Sequence, residues 1–325
     1  MRETATGKTL ADVGEFALIT AITADLPGNA AVQLGPGDDG AVLRVDGPLI
    51  SSVDALVEGV HFRRDWSEAQ DVGRKAVAVN VADIEAMGGR AVGILVAFSA
   101  PGETPASWAL EFAAGLRAEC ANAGVALLGG DVTRARDITI SVTVLGVTDG
   151  LPLVRRDGAR AGDVLAIVGR IGWAAAGMVV LGRGFRSPRV VVEAQRAPQV
   201  PYGQGAIAAA AGATSMIDIS DGLLGDLSHV AQASGVTIDV HTAAFEVPEP
   251  LQAVAAATGS DPYTLILTGG EDHALAATFG SIDQVPAGWR VIGTVTEPAE
   301  DGPVLVDGSA WQGTPGFDHF RGGRR

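Results

Sequence analysis

The stretch from Asp71 to Ser99 reads DVGRKAVAVNVADIEAMGGRAVGILVAFS, and it decides the fold class. In its first half Val72, Ala76, Val79, Asp83 and Ala86 fall on one stripe at helical spacing. The Gly88-Gly89 pair is a helix stop, so the spacing predicts a helix over Asp71 to Met87. The second half, Ala91 to Ser99, is a continuous apolar run of buried-strand length. A helix turned into a strand by two glycines is a building unit of α+β and α/β folds. Asp83 is the anomaly, because a carboxylate on an inward stripe is costly unless it is paired or metal-bound.

The same alternation extends to both sides. Upstream, Gly14 to Ala24 is a short helix, and Ala31 to Leu34 and Ala41 to Val45 flank a Gly/Asp turn. Pro48 to Asp54 is strand-like and ends in a carboxylate. Downstream come a helix over Thr104 to Ala123, a short strand from Val125 to Leu128 that runs into Gly129-Gly130-Asp131, and an alternating strand over Ile138 to Val147. Thr148 to Gly162 is rich in Gly, Pro and Arg and marks a boundary near Gly150, giving domains 1–149 and 150–325. Past it the pattern restarts with strand Val164 to Val168 and helix Trp173 to Leu181. Strand Met216 to Ile219 leads to helix Ser220 to Ser234, which Gly235 ends; strands follow over Thr237 to Val240, Tyr263 to Leu267, Ala274 to Thr278 and Arg290 to Val295. At about 150 residues per domain, two domains also agree with the length of 325 residues.

Composition narrows the function. The formal net charge of −15 argues against a nucleic-acid partner, whose phosphates demand Lys and Arg. It also means that a polyphosphate ligand needs cations in between. Cys120 is the single cysteine, so no intrachain disulfide forms, which fits a reducing cytoplasm. The opening MRETATGKTLADVGEF carries no secretory signal, and apolar runs such as Ala91 to Ala100 are far short of a membrane span. Glycine accounts for 44 residues, about twice the usual share of ~7%, a weak sign of backbone that approaches a ligand.

Two phosphate motifs fail on inspection. Gly7-Lys8-Thr9 lacks the glycine of a P-loop, Arg2 standing in its place. Gly35-Pro36-Gly37-Asp38-Asp39-Gly40 matches G-x-G-x-x-G, but a strand and not a helix follows it, and two carboxylates sit where an anion would lie. The aspartates suit Mg²⁺, which prefers carboxylate oxygen, although a solvated turn explains them equally well. Asp54, Asp131, Asp218 and the Glu271-Asp272 pair lie at or just past expected strand ends. Helix capping accounts for Ser220 and Asp221, but not for Asp218. Each position alone is equivocal; as a set, a shared polyvalent-cation site is the economical reading. The histidines show no zinc spacing.

These motifs, in this order, resemble the thiamine-monophosphate kinases, a family of the aminoimidazole ribonucleotide synthetase superfamily. The matching runs are GEFALI (Gly14 to Ile19), GPGDDGAV (Gly35 to Val42), SVDALVEGVHF (Ser52 to Phe62), KAVAVNVADIEAMG (Lys75 to Gly88), GGDVTR (Gly129 to Arg134), IDISDGLLGDL (Ile217 to Leu227), TGGEDHAL (Thr268 to Leu275) and GFDHF (Gly316 to Phe320). The resemblance implies two α+β domains. The first would bind ATP and magnesium and give strands to a β-barrel spanning a homodimer; the second would complete the active-site cleft. It implies Mg²⁺-dependent, direct in-line transfer of the γ-phosphoryl group of ATP to thiamine monophosphate, giving thiamine diphosphate and ADP in the cytoplasm. Asp39, Ser52, Asp54, Asp83, Asp131, Asp218 and Asp221 match magnesium ligands. Gly130, Asp131, Arg156 and Ser220 match ATP contacts, and His61, Glu271 and Phe317 match contacts to the thiamine phosphate. No side chain is implied as a general base, so positioning and bound metal would carry the rate. Val53 and Val132 stand where the family usually has Thr, and His273 where it usually has Tyr. Motifs alone leave open a non-catalytic magnesium- or nucleotide-binding protein; a selenophosphate synthetase is disfavoured because Cys120 lies in mid-helix.

Overall fold

The computed structural model describes residues 7–317 except Asp25, Pro27 and Asp39. It divides into two compact units, residues 1–84 with 90–149, and residues 85–89 with 150–325.

The first unit runs α1 (Leu10–Val13), α2 (Glu15–Ile22), β1 (Val32–Leu34), β2 (Val42–Leu43), β3 (Leu49–Val57), α3 (Ala69–Ala86), β4 (Arg90–Ala100), α4 (Ala106–Ala123), β5 (Ala126–Arg134) and β6 (Thr139–Val147). The last two residues of α3 are grouped with the second unit. The Gly/Asp turn is the loop of an antiparallel β1–β2 pair. The other strands form one sheet in the order β3-β6-β4-β5. Even-numbered residues of its central strands are buried: Ile94, Val96 and Phe98 in β4, and Ile140, Val142 and Val144 in β6. Phe98, Trp108 and Phe112 stack at centroid separations of 6.1, 5.4 and 5.7 Å and tie α4 to the sheet. Such pairs add about 0.5–1.5 kcal/mol each beyond area burial. The odd-numbered residues line the opposite face, where Leu49, Val53 and Leu95 are exposed.

The second unit contains β7 (Val164–Val168), α5 (Trp173–Gly182), α6 (Arg189–Arg196), α7 (Gln204–Ala210), β8 (Ser215–Ile219), α8 (Leu223–Ser234), β9 (Thr237–Val240), α9 (Glu249–Thr258), α10 (Pro262–Thr268), β10 (Ala274–Phe279), β11 (Arg290–Thr296), β12 (Val304–Val306) and β13 (Ser309–Ala310). Its sheet has the order β13-β12-β9-β11-β7-β10-β8. All neighbours are antiparallel except β12 and β9. Met216, Leu275, Phe279 and Trp289 belong to its buried core. Glu85 is buried within this unit, where its two oxygens accept the Gly203 and Gly205 N–H groups at 2.8 Å each.

Four expectations are corrected. Tyr263 to Leu267 is helical: Asp261 caps the segment by accepting the Tyr263 N–H at 3.0 Å, and Pro262 supplies a preset first helical φ. Helix α8 starts at Leu223 rather than Ser220, with Gly222 as its cap. Strand β3 continues three residues past Asp54. Strand β5 passes straight through Gly129-Gly130-Asp131, so Asp131 is a mid-strand residue. In β5 the apolar run ends before the strand does, because an edge strand is held by ladder hydrogen bonds; in β3 the apolar run resumes past Asp54 with Ala55, Leu56 and Val57.

Candidate active site

In the first unit the expected ligands lie along β3 and the face of α3 beside it. Ser52 and Asp54 alternate onto the side of β3 that meets the helix. The Ser52 hydroxyl donates to Asp83 Oδ2 at 2.6 Å, and the Asp54 N–H donates to Asn80 Oδ1 at 3.0 Å. This is what the inward stripe of α3 was built for: Asp83 is half-buried and is met by a hydroxyl.

Asp131 is on the other edge. Register runs Asp54–Val142–Val96–Gly130 across the four strands, so Asp54 and Gly130 stand level. At about 4.8 Å per strand they are about 14 Å apart. Asp131 pairs with Ala97 and therefore faces the open side of the sheet, away from Asp54. Gly130 could not be another residue: a Cβ there would lie 1.9 Å from Val96 O. Beside it, Ile19, Ile22, Phe112 and Leu116 line an apolar pocket that reaches Gly129 and Asp131.

His61 follows β3. Its Nδ1 accepts the Val57 N–H at 3.0 Å, which fixes the neutral ring as the Nε2–H tautomer. The buried Lys75 donates to the His61 carbonyl at 3.1 Å. Asp39 lies outside the described residues.

In the second unit three segments meet on the turn between β8 and α8. The Glu271 N–H donates to Ser220 O at 2.7 Å, and the Phe317 N–H donates to Asp221 O at 2.9 Å. Gly270 packs so tightly here that a Cβ would sit 2.3 Å from Ser220 O. Glu271 and His273 hold left-handed backbone at φ 72° and 53°. That conformation is uncommon for residues other than glycine and persists where surrounding bonds enforce it. Ser220, Asp221, Glu271 and Phe317 are thus neighbours.

Asp218 is not the outward residue expected at a strand end. It is buried within β8 and receives His273 Nδ1 at 3.1 Å. Two further carboxylates are buried here, Asp226, which sequence reading passed over, and Asp272, which it placed at a strand end. Asp226 accepts three backbone N–H groups of the turn and is pushed up to about 7, first by burial and then by the charge of Asp218. Asp272 accepts the Ala174 N–H at 2.8 Å at the start of α5, and burial pushes it up to about 7. Its Oδ2 is buried without a hydrogen-bond partner. The spacing Asp221 to Asp226 carried the signal for the first; the Gly-Gly-Glu-Asp run marked the second, but not its burial.

Arg156 is not part of this cluster. Its carbonyl accepts the Ser234 hydroxyl at the far end of α8, a helix of 12 residues and about 18 Å.

Among the described residues, no three His, Cys, Asp or Glu side chains lie close enough to hold a metal ion. The donors present are nonetheless those Mg²⁺ takes, since it binds through one or two carboxylates and completes its shell with water and phosphate.

Residues 37–148 match the model of the AIR synthase related protein, N-terminal domain, and residues 160–305 that of the C-terminal domain. The thiamine-monophosphate kinase of Mycobacterium tuberculosis is 49% identical over 316 residues, covering 96% of this chain and 93% of that one. The chain belongs to the thiamine-monophosphate kinase family. The family member from Corynebacterium glutamicum is 41% identical over 322 residues, with 96% and 93% coverage. The crystal structure of the Stenotrophomonas maltophilia family member is similar at TM-score 0.78 and 30% identity, over 90% of this chain and 95% of that one. A ThiL structure complexed with AMPPCP and TMP is similar at TM-score 0.76 and 29% identity, over 97% and 100%.

Proposed function

We propose that this chain transfers the γ-phosphoryl group of ATP to thiamine monophosphate, giving thiamine diphosphate and ADP. The observation that carries the reading is the meeting of Ser220–Asp221, Glu271 and Phe317 on one turn, in a chain that resembles named thiamine-monophosphate kinases over almost its whole length.

A phosphate oxygen of thiamine monophosphate attacks the γ-phosphorus in line, and the bond from that phosphorus to the β–γ bridging oxygen breaks. The acceptor is already an anionic oxygen, so no strong base is required. The difficulty is charge, because two anions approach each other within a protein of net charge −15. Bound Mg²⁺ supplies the neutralisation of the phosphate oxygens. In the first unit Ser52, Asp54 and Asp83 would hold it, with Asp131 and Gly130 beside ATP and the neighbouring apolar pocket suited to a flat base. In the second unit Asp218 and Asp221 would hold it, Ser220 would touch ATP, and Glu271 and Phe317 the thiamine phosphate. His61 would offer its Nε2–H to the same substrate, and Arg156 an ATP contact. Positioning then carries the rate.

A homodimer belongs to the proposal. Leu49, Val53 and Leu95, exposed at 51%, 59% and 39% on one sheet face, form the kind of apolar surface that a second copy covers in a barrel. The buried Cys120 supports a reducing, cytoplasmic setting. Among the described residues no helix is long and apolar enough to cross a membrane.

The test is ADP release from ATP and Mg²⁺ with and without thiamine monophosphate, with thiamine diphosphate followed by chromatography. ATP consumption that ignores thiamine monophosphate overturns the reading; a trapped phospho-protein overturns direct transfer.

A further inference from the structure

Asp226 is not among the residues expected to touch a ligand, yet the turn that carries Ser220 and Asp221 is built around it. Its side chain is 3% exposed. Its Oδ2 accepts the N–H groups of Ser220, Asp221 and Gly222 at 3.0, 3.0 and 3.1 Å. Three successive N–H groups aimed at one point make a nest, the arrangement with which many loops grip phosphate. Here the nest faces inward and the chain's own carboxylate fills it. Two carbonyls of the turn are engaged too, Ser220 O by Glu271 and Asp221 O by Phe317. The turn therefore has little backbone left to offer a ligand. The side-chain oxygens of the turn are the hydroxyl of Ser220 and the carboxylate of Asp221.

We propose that Asp226 is a positioning residue that makes this turn a cation-binding surface instead of a phosphate-binding one. By occupying three N–H groups, it leaves oxygen atoms as the turn's groups toward a ligand, so an anionic substrate reaches them only through a divalent cation. The same anchoring sets the two carbonyls on which Glu271 and Phe317 hang. The inference rests on the proposed kinase reading for the identity of the cation, while the geometry around Asp226 stands without it.

Two variants test it in the full-length protein. Asp226→Asn keeps an oxygen acceptor for the three N–H groups; Asp226→Ala leaves them without one, a loss felt most at the buried Gly222 N–H. The readouts are amide hydrogen exchange over residues 220–222, Mn²⁺ binding to nucleotide-free protein by electron paramagnetic resonance, and the two KM values. For Asp226→Ala, exchange should quicken and Mn²⁺ affinity fall by about tenfold or more, with KM for thiamine monophosphate rising, while Asp226→Asn stays within about threefold of the parent. A folded Asp226→Ala protein with unchanged exchange and unchanged Mn²⁺ binding overturns the proposal. Should that variant not fold, Asp226→Asn decides: a large loss of Mn²⁺ affinity with the amides still protected would mean that charge and not geometry matters, and the proposal fails. A parent protein that binds no Mn²⁺ at all sinks the metal reading of the site, a failure seen before any variant is made.

Discussion

The carboxylates of the two units are placed in contrasting ways. In the first, Asp54 and Asp131 sit on edge strands and are exposed, and Asp83 is half-buried against a hydroxyl. In the second, Asp218, Asp226 and Asp272 are all buried, and the last two are bonded to backbone N–H groups. An exposed carboxylate costs little to maintain; a buried one must have its oxygens matched by donors. The difference teaches that acidic residues in one motif set can do opposite jobs. In the proposed reading some bind the cation, and others hold the loops that carry such residues.

Breaking the first group should have the largest effect. Asp54→Asn, Asp83→Asn and Asp131→Asn are each expected to lower kcat by about a hundredfold or more, with the melting temperature shifted by no more than a few degrees. Chelation of divalent cations should abolish turnover and ATP binding together. Near-normal kcat in these three variants would erase the contrast.

Phe317→Ala sharpens the contrast on the substrate side. An aromatic face against the cationic ring of thiamine is worth about 1–3 kcal/mol, so KM for thiamine monophosphate should rise about 5- to 150-fold. KM for ATP should barely move, and Phe317→Tyr should be mild. If Phe317→Ala only lowers thermal stability, the ring is a packing element and not a substrate contact.

Gly130→Ala and Gly270→Ala probe close approach instead of charge. Each Cβ would strike a carbonyl oxygen, at 1.9 and 2.3 Å respectively. Each should destabilise its own unit by about 1–3 kcal/mol, read as a lower midpoint in urea.

The last effect is a pH slope. Burial raises the Asp272 carboxyl from 3.8 to about 7, so the folded state keeps a proton that the unfolded chain has already released. Stability from this group is thus full below the unfolded value, declines as pH rises between about 4 and about 7, and is level above. Asp272→Asn lacks the slope, so the gap in melting temperature between parent and variant should shrink across that window. A constant gap would mean that Asp272 is ionised throughout.

The sequence by itself carried much of this. Helical and strand periods placed α3, β4, β6 and β7 within a residue or two, because each has a complete apolar face to bury. Motif order marked most of the candidate residues. Other features were decided only in three dimensions. The segment Tyr263 to Leu267 has strand-like composition, but the cap at Asp261 and Pro262 makes it a helix. Helices α6, α7 and α9 passed unread, since α6 carries four buried residues among arginines and the other two are alanine-rich and short. Which carboxylates meet a donor is a long-range matter: Ser52 and Asp83 are 31 residues apart, and Ala174 and Asp272 are 98 apart. Local pattern encodes which face is apolar. Whether an acid on that face meets a hydroxyl, an N–H nest or open solvent depends on partners that only the folded chain brings within 3 Å, and at that distance burial, not spacing, sets the role of the group.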